Sequence, residues 1–352
     1  MEDYVSLEEM LFGCTPSFDN LPIVDNDFLI GKLIVFPLLR PHFLEQLVVF
    51  CKGLMNNRDF KDNFVHKAVS ECPVLIQRMY QCGFFDFQEI NELIHQSGKI
   101  IYCYYFYNHL KDQIGMFHRE NNIEYSYFEQ ECLYDELIQY GYPRISSEFS
   151  MKYDDLSSLI QLETYNTIEY AKWSPFEWSE RPNSLDVLSF CGIFGSIKCF
   201  KYFLENGYSI NKSITENVIC GGSFDLVHLC LPFIPINDGF VIKATKFYRK
   251  LLIDYFMEEG YDILSFDLST NPYSILSEAA FYGHLGLVEF FIGKGIDIES
   301  FGKYLFVTVL VRHLYAEQYK MDLFKSSGFF CKWEQILIPH LSTVQWRMEM
   351  PI

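Results

Sequence analysis

The sequence predicts an all-α protein, a stack of paired helices preceded by a further helical region. Three observations carry this. Ser184 to Asn211 and Pro272 to Glu299 align at a constant offset of 88 positions, which sets Leu188 on Leu276, Gly195 on Gly283, Leu204 on Ile292 and Gly207 on Gly295. Self-similarity held in register marks a repeat architecture. Within each segment the apolar residues recur at helical spacing, with Leu188, Cys191 and Gly192 in a short first helix and Ile197, Phe200, Phe203 and Leu204 in a return helix. Third, at 49% hydrophobic with Phe 34 and Tyr 24, the chain has apolar material enough for a long core.

The punctuation fits that plan. Asp186 and Ser274 stand where a first helix begins, and either side chain can accept a first-turn N–H. Gly195 and Gly283 fall between the paired helices, and Gly207 and Gly295 just after the second, where a left-handed backbone is needed. Two further units lie between the matched segments. Glu216 to Phe233 places Gly222 at the turn, with Leu226, Val227 and Leu229 behind it, and Ile242 to Ile263 has Ala244 and Thr245, then Leu252, Ile253, Phe256 and a closing Gly260. Turn positions at 195, 222, 248 and 283 step by 27, 26 and 35, so the middle units have short connections.

The run from Ser277 through Ala279, Ala280, Gly283, His284, Val288, Gly295 and Asp297 resembles the ankyrin repeat. Residues 174–207, followed by Cys220 to Cys230, resemble more closely a set of ankyrin-type proteins expanded in parasitic protists that carry a domain of unknown function. The resemblance covers roughly residues 140–325 and implies an ankyrin-type helical repeat solenoid. It also implies a structural role for His284, whose imidazole would bond backbone at the Gly-His turn. Ser189 and Ser277 replace the usual His of the first helix, and the short middle units leave no room for full β-hairpin fingers.

The expected organisation is a helical region or degenerate helical repeats over 1–140, ankyrin-like repeats over 141–325, and a tail or cap over 326–352. In the first region, Phe64 to Ile94 reads as paired helices, with Ala68 and Val69 in one, Leu75, Ile76 and Met79 in the next, and Gly83 as a stop. Ser147 to Glu163 reads as a degenerate unit with Leu156, Leu159 and Ile160 inward, opened by Asp154 and Asp155. No Gly/Ser linker divides the halves, which favours one continuous stack.

Charge and motifs narrow the function. Lys+Arg 28 against Asp+Glu 46 gives a net charge of -18 with no basic run, so nucleic acid and anionic lipid are disfavoured and a basic or apolar protein partner is expected. The most apolar window, Phe28 to Cys51, is interrupted by Lys32, Pro37, Arg40, Pro41, His42 and Glu45, so no membrane span is expected. The acidic start, MEDYVSLEEM, has no basic region before an apolar stretch, and no signal peptide is read there. Eleven Cys are scattered without a CxxC pair, which points to a reducing, cytoplasmic setting and makes the sequon at Asn211 a chance match.

No GxSxG, HExxH, GxGxxG or P-loop is present, and neither catalytic residues, a metal site nor a cofactor is assigned. Gly207 to Ser213 mimics only the end of a P-loop, and it follows a helix rather than a strand. Cys220, His228 and Cys230 match no common zinc spacing, and Cys191 and Cys199 fall at packing positions. The expected function is a non-catalytic interaction module or scaffold. Its candidate partner-binding residues are Ile193, Phe194, Phe281 and Tyr282, which precede the turn glycines and would form an aromatic strip if exposed, together with Trp173 and Trp178. The alternative is an enzyme whose site lies in the first 140 residues, among His42, His66, His95, His109 and His118.

Overall fold

The computed structural model describes residues 2–13, 16–19, 21–40, 43–99, 101–110, 131–163, 168–174, 176–177, 184–265 and 275–296. It is mostly helical. Trp178, Ser274, His42, His118 and residues 297–352 lie outside the described set, as does the side chain of Phe281.

The amino-terminal region comprises α1 (Glu2–Phe12), α2 (Asn26–Leu39), α3 (Leu44–Leu54), α4 (Arg58–Glu71), α5 (Pro73–Gln81), α6 (Phe87–Ser97), α7 (Ile101–Tyr105) and α8 (Tyr107–Leu110). Side chains start these helices where the backbone N–H groups lack partners. Asp25 accepts from Phe28 N at 2.8 Å, Asn57 from Phe60 N at 3.2 Å, and Asp86 with Glu89 forms a reciprocal capping box. Helix α2 packs on α3 and α4, α3 on α5, and α4 on α5 and α6. Their shared core includes Leu33, Phe36, Phe64, Ala68, Leu75, Ile76, Met79 and Ile90.

Next come α9 (Glu131–Tyr140), α10 (Ser147–Lys152) and α11 (Leu156–Glu163), then strands β1 (Tyr170–Lys172) and β2 (Ser184–Asp186), which pair antiparallel with Tyr170 opposite Asp186. Asp155 caps α11 by accepting from Ser158 N at 3.1 Å, whereas Asp154, at φ 54, accepts from Cys199 N at 3.0 Å. Leu159 is fully buried and Leu156 partly so, but Ile160 is 43% exposed and does not face inward as its spacing suggested. Helix α11 packs on α10 and on the return helix Ile197–Glu205, with Leu159 buried and Ile160 left partly in solvent.

Four helix pairs follow. They are α12 (Val187–Phe194) with α13 (Ile197–Glu205), α14 (Lys212–Gly221) with α15 (Phe224–Cys230), α16 (Asp238–Lys246) with α17 (Lys250–Glu258), and α18 (Ile275–Phe281) with α19 (Leu285–Gly293). The first helices stack in order, α10 on α12, α12 on α14, α14 on α16 and α16 on α18. Small residues permit this approach: a Cβ on Gly192 would lie 2.7 Å from Val218 Cγ2. The turns at Gly195, Gly222 and Gly283 have φ of 69, 81 and 69, while Tyr248 holds the corresponding turn at φ 51 without being glycine. Phe203 and Phe291, one offset of 88 apart, are both fully buried on the second helices.

The first helix of the chain returns to the last described pair, because α1 packs on both α2 and α19.

Candidate interaction cleft

The amino-terminal helices seat on the turn edge of the helix pairs through buried charge. Glu8 on α1 and Lys32 on α2 form an ion pair at 2.5 Å with both side chains out of solvent. The other Glu8 oxygen accepts from Gly286 N at 2.7 Å in the first turn of α19, and Lys32 Nζ donates to Gly283 O at 2.6 Å. Burial lowers the Lys32 ammonium's affinity for its proton, and the Glu8 carboxylate opposes that shift.

Two arginines serve carbonyls that helix ends leave without partners. Arg40, at the C-terminus of α2, donates to Leu39 O at 2.7 Å, Phe247 O at 3.2 Å and Tyr248 O at 3.1 Å, and also to Phe12 O. Arg249 donates to Cys220 O at 2.7 Å and to Leu39 O at 3.2 Å. Cations at helix C-termini are favoured by the dipole, so these contacts hold α1 and α2 against the ends of α14 and α16.

His284 sits beside this joint, buried between Phe12 and Tyr248 at ring separations of 6.3 and 5.1 Å. Burial, helped by the Lys32 and Arg40 charges, holds its imidazole down to about 3. The ring is therefore neutral near pH 7, and its Nε2 lies 3.1 Å from Lys246 O, which fixes the proton on Nε2 as the donor.

Between α1, α2 and the start of α3 on one side, and the turns of α14–α15 and α16–α17 on the other, a cleft of about 340 Å³ opens. Phe12, Phe43, Ile193, Phe247 and Leu252 give it apolar walls, and Glu9, Arg40, Arg249 and Lys250 bring charge to it. Lys250 Nζ pairs with Glu9 Oε1 at 2.5 Å, with both side chains partly in solvent. Leu251, 52% exposed, stands at the mouth.

The aromatic strip does not take the expected form. Ile193 and Phe194 are only 5% and 6% exposed, so they are not an outward edge. Ile193 lines the cleft under the amino-terminal helices, and Phe194 lies under Trp173, stacked at 5.6 Å with rings 15° apart, and beside Lys152. Tyr282 is half-buried with Lys246 Nζ 5.3 Å from its ring centre. Trp173 is itself partly buried against Phe190. Positive φ at Gly207, Gly260 and Gly295 closes the second helices, and Asp186 caps α12 by accepting from Ser189 N at 2.8 Å.

The described histidines of the first 140 residues do not converge. His66 is exposed on α4, His95 lies in the last turn of α6, and His109 stacks on Phe87 at 4.4 Å while bonding Tyr80. In the repeats, His228 contacts Tyr255 at 3.1 Å, while Cys220 and Cys230 are buried. No group of three His, Cys, Asp or Glu among the described residues is placed to hold a metal. Burial pushes the thiols of Cys51, Cys72 and Cys199 up to about 12, which leaves them poor nucleophiles. No helix among the described residues is long and apolar enough to cross a membrane.

Sequence reasoning missed Glu8, Lys32, Arg40 and Arg249 as the joint. The signal was present at Lys32 and Arg40, lone cations within the most apolar window, because such a residue in a buried helix needs an acceptor.

Comparison with known proteins agrees with the repeat pattern. No family model matches the chain, and no solved structure matches it. An ankyrin repeat protein of Acanthamoeba polyphaga mimivirus is 23% identical in an alignment that covers 58% of this chain and 34% of that protein. The chain thus spans about a third of the length of the curated relative it matches, and the similarity marks the chain as ankyrin-like.

Proposed function

We propose that this protein is a non-catalytic interaction module, an ankyrin-type solenoid related to the protist-expanded set that its repeats resemble, which binds another protein. The observation that carries the reading is the register of the helix pairs: equivalent left-handed turns at Gly195, Gly222 and Gly283 and stacked first helices from α10 to α18. A mimivirus relative named as an ankyrin repeat protein supports it. Such a stack is rigid before it meets a partner, so little ordering entropy opposes association. We place it in a reducing compartment, because Cys51, Cys72, Cys103, Cys191, Cys199 and Cys230 are buried as thiols. The apolar side chains of Phe233 and Leu264, 66% and 61% exposed, follow the second helices and are available for contact.

The test is affinity capture by the intact chain beside a Phe233→Ser/Leu264→Ser variant, with retained proteins identified by mass spectrometry and then titrated as purified components. A purified partner with a saturable affinity for the parent supports the module. Absence of any such partner, together with turnover of a small molecule by the intact chain, would overturn it.

A further inference from the structure

We propose that the cleft between α1–α3 and the turns of the second and third helix pairs receives an extended, acidic segment of the partner. One large apolar side chain enters between Phe12, Phe43, Ile193 and Phe247, and a neighbouring carboxylate meets the Arg249–Lys250 rim. This rests on the interaction reading above and adds the partner's chemistry.

Charge complementarity selects the occupant. The whole chain carries Lys+Arg 28 against Asp+Glu 46, yet the cleft is lined by Arg40, Arg249 and Lys250 against Glu9 alone. The local balance is the inverse of the global one, so a partner chosen on net charge would be basic whereas one chosen by this cleft is acidic. Low-dielectric walls strengthen such a field inside a cleft. Arg249 gives α17 no side-chain cap, and residues 249–252 all line the cleft, so the positive end of that helix adds to the same sign.

Geometry sets the rest. At about 340 Å³ the cleft is at the small end of ligand pockets, enough for an apolar side chain with an acidic neighbour and too small for a helix. At the mouth, Glu9 already holds Lys250 at 2.5 Å, with Glu9 about half exposed. It occupies the place the partner's carboxylate would take, so the incoming acid displaces Glu9 from Lys250.

The test uses the intact chain and 8-anilinonaphthalene-1-sulfonate, an aromatic anion, beside thioflavin T, an aromatic cation. Saturable one-to-one binding of the anion is expected, weakened about tenfold by Lys250→Glu and strengthened by Glu9→Gln, as rim charges change affinity without altering the walls. The blocked peptide Ser-Glu-Phe-Glu-Ser should displace the anion, and Ser-Lys-Phe-Lys-Ser should not. Glu9→Gln carries the test even if Lys250→Glu unfolds. No binding of the anion, equal binding of both dyes, an affinity indifferent to Glu9→Gln, or equal displacement by both peptides overturns the proposal. A partner captured by the chain while any of these holds would leave the interaction reading standing and remove only the cleft. Dye and peptide results as expected, with small-molecule turnover and no captured partner, would keep the anion-binding cleft and remove the interaction reading.

Discussion

Gly286 donates its backbone N–H to the carboxylate of Glu8 at 2.7 Å across 278 positions of sequence. The same carboxylate pairs with Lys32, so one side chain ties the first helix to both the second and the last described pair. Removing either charge strands the other where water cannot reach it. Glu8→Ala should cost about 3–5 kcal/mol in urea unfolding. The double variant Glu8→Leu/Lys32→Met should cost less than the sum of the singles, since neither charge is then left unpaired.

His284 makes stability fall in acid. Its native pKa is held down to about 3, below the ordinary 6.5, so the unfolded state binds the extra proton first. The contribution is complete above 6.5 and is lost as pH falls from there toward 3, at up to about 1.4 kcal/mol per pH unit. Unfolding free energies measured between pH 7 and pH 4 should show that slope in the parent and a shallower one in His284→Asn.

Glycine in this chain answers two different demands. At Gly195, φ is 69 and a Cβ would meet only Ser223 Cβ at 3.8 Å, so Gly195→Ala should cost the left-handed backbone penalty of about 1–2 kcal/mol. At Gly192 the backbone is helical but a Cβ would strike Val218, both its side chain and its backbone. Gly192→Ala should therefore part α12 from α14, at about 1–3 kcal/mol. Thermal unfolding of the two variants, with circular dichroism of each native state, separates strain from clash.

Phe203 and Phe291 hold equivalent places in different pairs, and each is fully buried. Truncation to Ala should cost about 3–5 kcal/mol at either position. Comparable losses in chemical denaturation would confirm that the offset of 88 is an equivalence of packing as well as of letters; a loss below 1 kcal/mol at one site would break it.

Much of the stack was legible because its signals are local. Asp186 and Gly195 mark the start and end of α12 through bonds and dihedrals within a few residues, and Phe203 and Phe291 repeat in register. Ile160 misled because its spacing shows a helix but not how deeply each position is covered. Ile193 and Phe194 misled for a related reason: what covers them comes from α1–α3 and from the hairpin residue Trp173, and no periodicity within the repeats encodes those contacts. The joint built by Glu8, Lys32, Arg40 and Arg249 was hidden because its partners are backbone carbonyls that accept and a backbone N–H that donates, which have no letter in the sequence.

A stack of repeats ordinarily opens from its ends, since each unit touches only the next. Here the first helix rests on α19, so no described end is left to fray independently. It also sets an order in time: α1 is made before α19, so it can meet α2 early but its bond to Gly286 must wait until that residue has been made. Closure thus couples the first described helix to the last, across nearly the full length of the described chain.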